Sequence, residues 1–330
     1  GIPVTHRAKA LSRTLKDYKL VAVVGTCGKS TVTAMLGHVL AECGLDPMCV
    51  NGANVPGWEG AVRFGKGEYA VAEVDESDKS LVAFKPYAAI VTNASADHYS
   101  KEEMDEVFDA FVKDCEGPVI DGRKEGSGIR DQGSGVEWVT PLPGKHNLQN
   151  ATLAAKMALA LGCRPDDIRR ALASFRGVER RLQFISRPLP SSLFPRPFSV
   201  YDDYAHNPEK LKAMWTTLAE KHPEGICVIW RPHGYAPLRK MMDALAEMFA
   251  ETVRPCDKLL LLPVYDAGGT TDRSVNSDAL LTEVEKRGGG GQRWVLIPDL
   301  EAAYDWCAAH KGDFAAFVTC GARDPGLPVL

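Results

Sequence analysis

The chain has no apolar run near the roughly 20 residues that a membrane-crossing helix needs. It also lacks the basic-then-apolar opening of a secretory signal. Excess positive charge is missing too: 39 Lys and Arg stand against 43 Asp and Glu, a net charge of −4. That balance gives no electrostatic case for nucleic acid or an anionic membrane as partner. The nine cysteines form no CxxC pair and no metal-type spacing. Their number is odd, and Cys43, Cys227 and Cys320 fall inside apolar stretches. This usage predicts reduced core thiols and a cytoplasmic setting rather than a disulfide framework. An initiator Met is absent as well, so the chain reads as processed or cut from something longer.

What is present is a 330-residue sequence, 45% apolar and 25% charged, long enough for two α/β domains with sizeable cores. Its organising stretch is Leu20–Cys43. The β-branched run Val21, Val23, Val24 predicts a buried strand that stops at Gly25-Thr26-Cys27-Gly28-Lys29-Ser30. A helix follows with Val32, Met35, Leu36, Val39, Leu40 and Cys43 on one face, and Gly44 ends it. Strand, glycine-rich turn, Lys-Ser and helix together make a phosphate cradle. Backbone N–H groups and the positive helix end receive the anion, Lys29 reaches the outer phosphates, and the Ser30 hydroxyl suits Mg²⁺. The strict G-x4-G-K-[ST] spacing fails because Val23 stands where its first glycine belongs. The competing reading is a glycine-rich turn before an ordinary helix. The strand–turn–helix context favours a nucleoside triphosphate.

Further strands are predicted at Met48–Val50, Tyr69–Asp75 and Tyr87–Thr92, and a helix over Lys101–Asp114. Asp121–Gly135 reads as a glycine-rich loop. Pro143–Asn150 leads into an Ala-rich helix, Ala151–Leu161, and Asp166–Phe175 forms another. Strands alternating with helices imply a parallel sheet, whose ligands gather at the carboxyl ends of its strands. Lys29, Glu73, Asp75 and His98 would then face one crevice. Alternation points Glu73 and Asp75 to the same face, so spacing alone barely separates them as Mg²⁺ ligands; Glu73 is preferred. His98 either binds a second metal ion or caps a loop.

Arg187–Pro197, with four prolines in eleven residues, reads as a loop near a domain junction. Beyond it the α/β rhythm resumes without a second phosphate turn. Strands are predicted at Ser199–Asp202, Ile226–Trp230, Leu259–Val264 and Phe314–Thr319. Helices are predicted at Glu209–Lys221, capped by Asn207, and at Leu238–Thr252. Arg287–Arg293 reads as a flexible loop. The expected fold is α/β: a linker over 1–18, a central P-loop parallel-sheet ATPase domain over 19–184, and a smaller Rossmann-like C-terminal domain over 185–330.

Taken together, GTCGKST (25–31), AEVDESD (72–78), TNASADH (92–98), PGKHNLQNA (143–151), RGVERRLQF (176–184), YDDYAHNP (201–208), RPHGY (231–235), VYDAGG (264–269) and GA (321–322) resemble the Mur ligases. These are the ATP-dependent amide ligases of peptidoglycan precursor synthesis. The motifs occur in family order over nearly the whole chain, and look most like the UDP-N-acetylmuramate–L-alanine ligase branch. The resemblance implies ATP and Mg²⁺ as cofactors, a carboxylate and an amino acid as substrates, and an acyl-phosphate intermediate. It would place Gly25, Thr26, Gly28, Lys29, Ser30 and Thr31 at the phosphates, with Lys29 on the β/γ pair. Ser30 and Glu73 would hold the first metal and His98 a second. His146, Asn147 and Asn150 would lie near the base, and Arg181 at the domain junction. Asp203 and His206 would meet the nucleotide. Helix capping and turn bonding compete for Asn147, Asn150, Asp203 and His206.

Four departures stand beside the resemblance. The family's N-terminal UDP-sugar domain is absent from the sequence, so the chain is a fragment, acts on something without UDP, or is served by another chain. His98 and His146 are only 48 residues apart, which suggests that the loop 121–135 replaces part of a side sheet. Gly234 and Pro237 occupy places where L-alanine-using members carry arginines, leaving Arg239. Cys27 replaces the usual Asn or His of the phosphate turn, and a thiol at a helix N-terminus tends to be acidic. A non-ligating nucleotide-binding subunit is therefore the competing reading, and a P-loop kinase or simple ATPase the third.

Overall fold

The computed structural model describes residues 4–75, 80–94, 101–124, 137–186, 198–268, 270–289 and 293–329. The chain divides into two compact units, Gly1–Glu179 and Arg180–Leu330. This division falls ahead of the expected 184/185 because Gln183–Ser186 forms a strand of the second unit's sheet. Both units are α/β, and the P-loop sheet comes first.

In the first unit, α1 (Arg7–Thr14) precedes β1 (Lys19–Val24), and α2 (Lys29–Glu42) follows the glycine turn. Then come β2 (Met48–Val50), β3 (Val62–Arg63), β4 (Tyr69–Glu73) and β5 (Ala88–Val91). The unit closes with α3 (Lys101–Val112), β6 (Val119–Asp121), α4 (Lys145–Ala160) and α5 (Pro165–Ser174). The sheet order is β3-β2-β4-β1-β5-β6, parallel except for the short edge strand β3. β1 sits between two parallel neighbours, so side chains on both of its faces must be apolar. Val21 and Val23 pack under α2 and α4 with Met35, Leu36 and Met157, whereas Leu20, Ala22 and Val24 face Phe84, Met104 and Phe108.

Two differences from the sequence reading concern this unit. The Ala-rich helix begins at Lys145 rather than Ala151, because Gly144, at φ 94°, makes the turn into it. His146, Asn147 and Asn150 therefore ride on its first turns. At the other end of the sheet, Arg123 ties β6 to α3 by meeting Asp105, Asp109 and Asp121 at 3.0, 2.6 and 2.7 Å. Residues 125–136, most of the expected side-sheet replacement loop, lie outside the described residues.

The second unit runs β7 (Gln183–Ser186), β8 (Ser199–Asp203), α6 (Pro208–Lys221), β9 (Ile226–Trp230) and α7 (Tyr235–Thr252). It continues with β10 (Lys258–Leu261), α8 (Ser277–Lys286), β11 (Trp294–Leu296), α9 (Leu300–Ala309) and β12 (Ala316–Cys320). The order β11-β10-β9-β12-β8-β7 is parallel apart from β7. Asn207 caps α6, accepting from the Lys210 N–H, with Pro208 at the first helical position, as its sequence predicts. Buried Asp257 anchors the opposite end of the sheet: it accepts from Trp215 Nε1 at 2.9 Å, the Ile226 N–H at 3.0 Å and the Arg254 guanidinium. The proline-rich stretch 187–197 and residues 290–292 of the glycine loop lie outside the described residues.

Candidate functional site

In the first unit the phosphate turn leaves β1 at Gly25, whose φ of +128° only glycine adopts readily. A Cβ there would stand 2.1 Å from Thr92 Oγ1. Thr92 and Asn93, at the end of the neighbouring β5, clamp the turn from below. The Thr92 hydroxyl donates to the Cys27 carbonyl at 2.6 Å, and the Asn93 amide donates to the same oxygen at 2.9 Å. Asn93 Oδ1 accepts from the Cys27 N–H at 2.9 Å. The sequence reading named neither residue as part of the site. The signal was available in the parallel β1–β5 pairing, which brings polar residues at one strand end level with the next strand's loop.

The turn is closed above by α4. A Cβ on Gly28 would come within 2.7 Å of Asn150 Oδ1, so the glycine lets the helix approach. Asn150, Ser30, Thr31 and Thr26 are all buried, as is Asn147, whose amide donates to the Pro143 carbonyl at 2.7 Å. His146 is half-buried beside them, and burial pushes its imidazole below the usual range. Lys29 Nζ donates to the Gly25 carbonyl at 2.6 Å, folded over its own turn. An incoming phosphate would exchange that bond to a neutral carbonyl for one to an anionic oxygen.

Glu73 ends β4 level with Val23 of β1, two strand ends side by side. One of its carboxylate oxygens accepts the Gly52 N–H at 2.8 Å, and a Cβ on Gly52 would strike that carboxylate. Gly52 thus fixes the direction of the carboxylate, a second feature the sequence reading missed. Asp75 lies past the strand end, beyond Val74. His98 lies outside the described residues. Lys29, Ser30, Asn150 and Glu73 therefore share the carboxyl edge of one sheet, where α/β folds hold ligands.

In the second unit, Asp202 and Asp203 end β8 and are both buried. Asp202 meets Arg180 Nε at 2.8 Å and the Thr319 hydroxyl at 2.8 Å, while Arg180 also donates to the Gly321 carbonyl at 2.6 Å. Asp203 accepts the Leu182 N–H at 2.6 Å and the Ala205 N–H at 2.7 Å. Those bonds hold a turn in which Arg180 and Leu182 take left-handed φ angles of 58° and 46°. Burial raises the Asp203 carboxyl to about 6, with Arg181 opposing the rise. Arg181 is half-buried, its guanidinium 5.1 Å from the centre of the Tyr204 ring. His206 bonds the Tyr204 carbonyl and packs edge-on against His233, ring centres 4.9 Å apart. Burial lowers its imidazole to about 4. Gly234 opens α7 with no capping side chain, and Arg239 pairs with Asp272 at 2.8 Å.

Comparison with known proteins adds three findings. Residues 180–323 match the family described as Mur ligase, glutamate ligase domain. Over 99% of its length the chain is 29% identical to the UDP-N-acetylmuramate–L-alanine ligase of Nostoc punctiforme (strain ATCC 29133 / PCC 73102), covering 74% of that protein. The enzyme of the same name from Sinorhizobium medicae (strain WSM419) is 29% identical over 97% of this chain and 76% of that one. The fold matches a UDP-N-acetylmuramate–alanine ligase from Thermotoga maritima with a TM-score of 0.76 at 24% identity, over 96% of this chain and 76% of that one. It also matches a folylpolyglutamate synthase of that organism with a TM-score of 0.64 at 13% identity, over 96% of this chain and 90% of that one.

Proposed function

We propose that this chain is a ligase of the Mur type, an ATP-dependent carboxylate–amine ligase whose first unit activates the acid as an acyl phosphate. The observation that carries this reading is the close fit of Gly28 against Asn150 Oδ1, which joins the glycine turn and the first turns of α4 into one anion cradle. An ordinary turn before a helix has no need of that contact.

The residues divide the work as follows. Backbone N–H groups of the turn and the N-terminus of α2 receive the phosphates. Lys29 leaves the Gly25 carbonyl for the β/γ oxygens and offsets charge on the transferred phosphoryl. Ser30 and Glu73 supply hard oxygen donors that fit Mg²⁺, and Gly52 holds the carboxylate in place for it. When bound, Mg²⁺ neutralises phosphate charge; His98 is proposed at a second metal. Thr26 and Thr31 line the cradle, and His146, Asn147 and Asn150 lie toward the base. Arg181, Asp203 and His206 complete the proposed set in the second unit, with Asp203 acting through the 180–182 turn it pins. A substrate carboxylate attacks the γ-phosphate and releases ADP. An amine then attacks the acyl phosphate, forms the amide and releases phosphate.

The relatives' names support UDP-N-acetylmuramate as the acid. For the amine, neither Gly234 nor Pro237 can grip a carboxylate, and Arg239 is already paired with Asp272. That same observation favours a second reading, an ATP-binding chain that does not ligate. ATP turnover with Mg²⁺, UDP-N-acetylmuramate and a panel of amino acids separates the two. Release of ADP that requires both acid and amine, and is lost in Lys29→Ala, is the expected result. ATP binding without amide product for any amine of the panel would favour the second reading. ADP release that ignores the amine would point to a simple ATPase.

A further inference from the structure

Two buried oxygens near the phosphate turn have no hydrogen-bond partner among the described residues. They are the Thr33 hydroxyl on α2 and the side-chain carbonyl of Asn51, just past β2. Thr33 is fully buried and Asn51 is 8% exposed. The Asn51 amide nitrogen is in use, donating to the Ala53 carbonyl at 3.0 Å, so only its oxygen is left over. Buried polar atoms of native proteins are nearly always bonded, and an orphan marks a place where another group belongs.

The packing of α2 on the sheet sets these two residues opposite one another. α2 returns from the carboxyl end of β1 toward the start of β2. A Cβ on Gly37 would stand 2.6 Å from Cys49 Sγ, which fixes where α2 and β2 touch. From that contact toward the carboxyl edge, one turn back along α2 covers about 6 Å and reaches Thr33. Two residues forward along β2 cover about 6.6 Å, keep to the same face and reach Asn51. β2 pairs with β4 in the register Val50↔Ala72, which puts Asn51 level with Glu73. Both belong to the α2 face of the sheet, because Cys49 and Val71, two residues before each, pack in the core with α2. The Glu73 carboxylate in turn accepts the N–H of Gly52, the residue after Asn51. Ser30 lies one turn ahead of Thr33 on α2.

We propose that Thr33 and Asn51 are positioning residues of the Mg²⁺ site, binding a water from the hydration shell of the ion that Ser30 and Glu73 hold. The inference rests on the ATP-dependent reading of the first unit. Mg²⁺ gives up its waters reluctantly and takes few oxygens from protein, so its surroundings must accept hydrogen bonds from the waters it keeps. The Asn51 oxygen can only accept, and the Thr33 hydroxyl can accept as well. Two acceptors match the two hydrogens of one water. Both are neutral, so neither repels the ion as a cationic donor would. Partners of this outer kind fix the direction of the groups around a metal and set its affinity.

The test uses the full chain and a non-hydrolysable ATP analogue, titrated calorimetrically in EDTA and in Mg²⁺. Mn²⁺ binding to the protein–analogue complex is then read by electron paramagnetic resonance. Thr33→Val keeps the shape of the side chain and removes an oxygen that has no partner in the protein. It is expected to weaken Mn²⁺ binding about tenfold. Its metal-free affinity for the analogue should match the parent's, and its metal-free Tm should not fall. Asn51→Leu should weaken Mn²⁺ binding in the same way, and Thr33→Ser, which keeps a hydroxyl, should retain the parent's affinity. Unchanged Mn²⁺ binding in both Thr33→Val and Asn51→Leu would overturn the proposal. Equal weakening with and without metal would overturn it too, since that is the mark of a structural role alone. A parent chain that binds the analogue no better than Lys29→Ala would remove the ATP reading and this inference with it.

Discussion

The two polar clusters of this protein occupy equivalent places, the carboxyl edges of two parallel sheets, yet they are built by different physics. The first is assembled from glycines and neutral hydrogen bonds: Gly25, Gly28 and Gly52 admit close neighbours, and Thr92 and Asn93 bond the turn's backbone. Lys29 donates to a neutral carbonyl there, and Glu73 accepts a backbone N–H. In the second cluster, charge is largely satisfied from within. Asp202 has Arg180 and Thr319, Asp203 has two N–H groups, and Arg231 has Asp324. In the bonds named for the first cluster charge meets neutral backbone, whereas in the second charge also meets charge and fixes the local backbone. Under the proposed function, the first set acts on a ligand and the second shapes the loops around it.

Mirrored substitutions give the largest contrast. Lys29→Ala is expected to lower ligase turnover by about 10³-fold or more while costing far less stability than the loss of a buried ion-pair partner, since Lys29 Nζ donates to the neutral Gly25 carbonyl of its own turn. Arg180→Ala should do the reverse to stability. It leaves Asp202, 1% exposed, with a hydroxyl as its remaining side-chain partner, and should cost about 3–5 kcal/mol in urea unfolding. Equal stability losses for the two variants would erase the contrast.

The second cluster also predicts an opposed pair of pH effects. Burial raises the Asp203 carboxyl to about 6, so between pH 4 and 6 the folded protein holds a proton that the unfolded chain releases. Acidification through that window therefore stabilises, by an amount on the order of 3 kcal/mol. Burial lowers His206 to about 4, so between pH 4 and 6.5 the unfolded chain binds a proton that the folded one refuses. Acidification there destabilises by a similar amount, on the order of 3 kcal/mol. The two contributions largely cancel in the intact protein. Unfolding curves from pH 7 to 4.5 should show His206→Gln gaining stability relative to the parent as pH falls, and Asp203→Asn losing it. Parallel curves for all three proteins would mean that Asp203 and His206 do not titrate as stated.

Much of this was legible in the sequence, and the illegible part has a common cause. Periodicity and turn residues located β1, α2 and the capped start of α6, because those signals are local and survive in a single strand of text. The start of α4 was misplaced by several residues because Lys145–Asn150 carries polar side chains suited equally to a loop and to a buried helix turn facing a ligand. Thr92, Asn93 and Gly52 were not assigned to the site because their partners are remote in sequence: Cys27 for the first two and Glu73 for the last. The loops after β4 and β5 also hold Glu76 and His98, which lie outside the described residues.

Those remote buttresses supply the smallest and most discriminating prediction. Thr92→Val keeps the shape of the side chain and removes the hydroxyl that donates to the Val24 and Cys27 carbonyls. The Cys27 oxygen retains the Asn93 amide, so the turn is loosened rather than lost. Leaving part of one buried bond unmade should cost about 1 kcal/mol of stability and weaken ATP binding about three- to tenfold, read by calorimetric titration. Asn93→Ala removes both a donor to that oxygen and the acceptor of the Cys27 N–H, and should weaken binding more than Thr92→Val does. If Thr92→Val lowers stability but leaves ATP affinity intact, the clamp holds the sheet and not the phosphate turn. The first cluster would then be positioned chiefly by its glycines and by Asn150, and its neutral hydrogen bonds would belong with the structural bonds of the second.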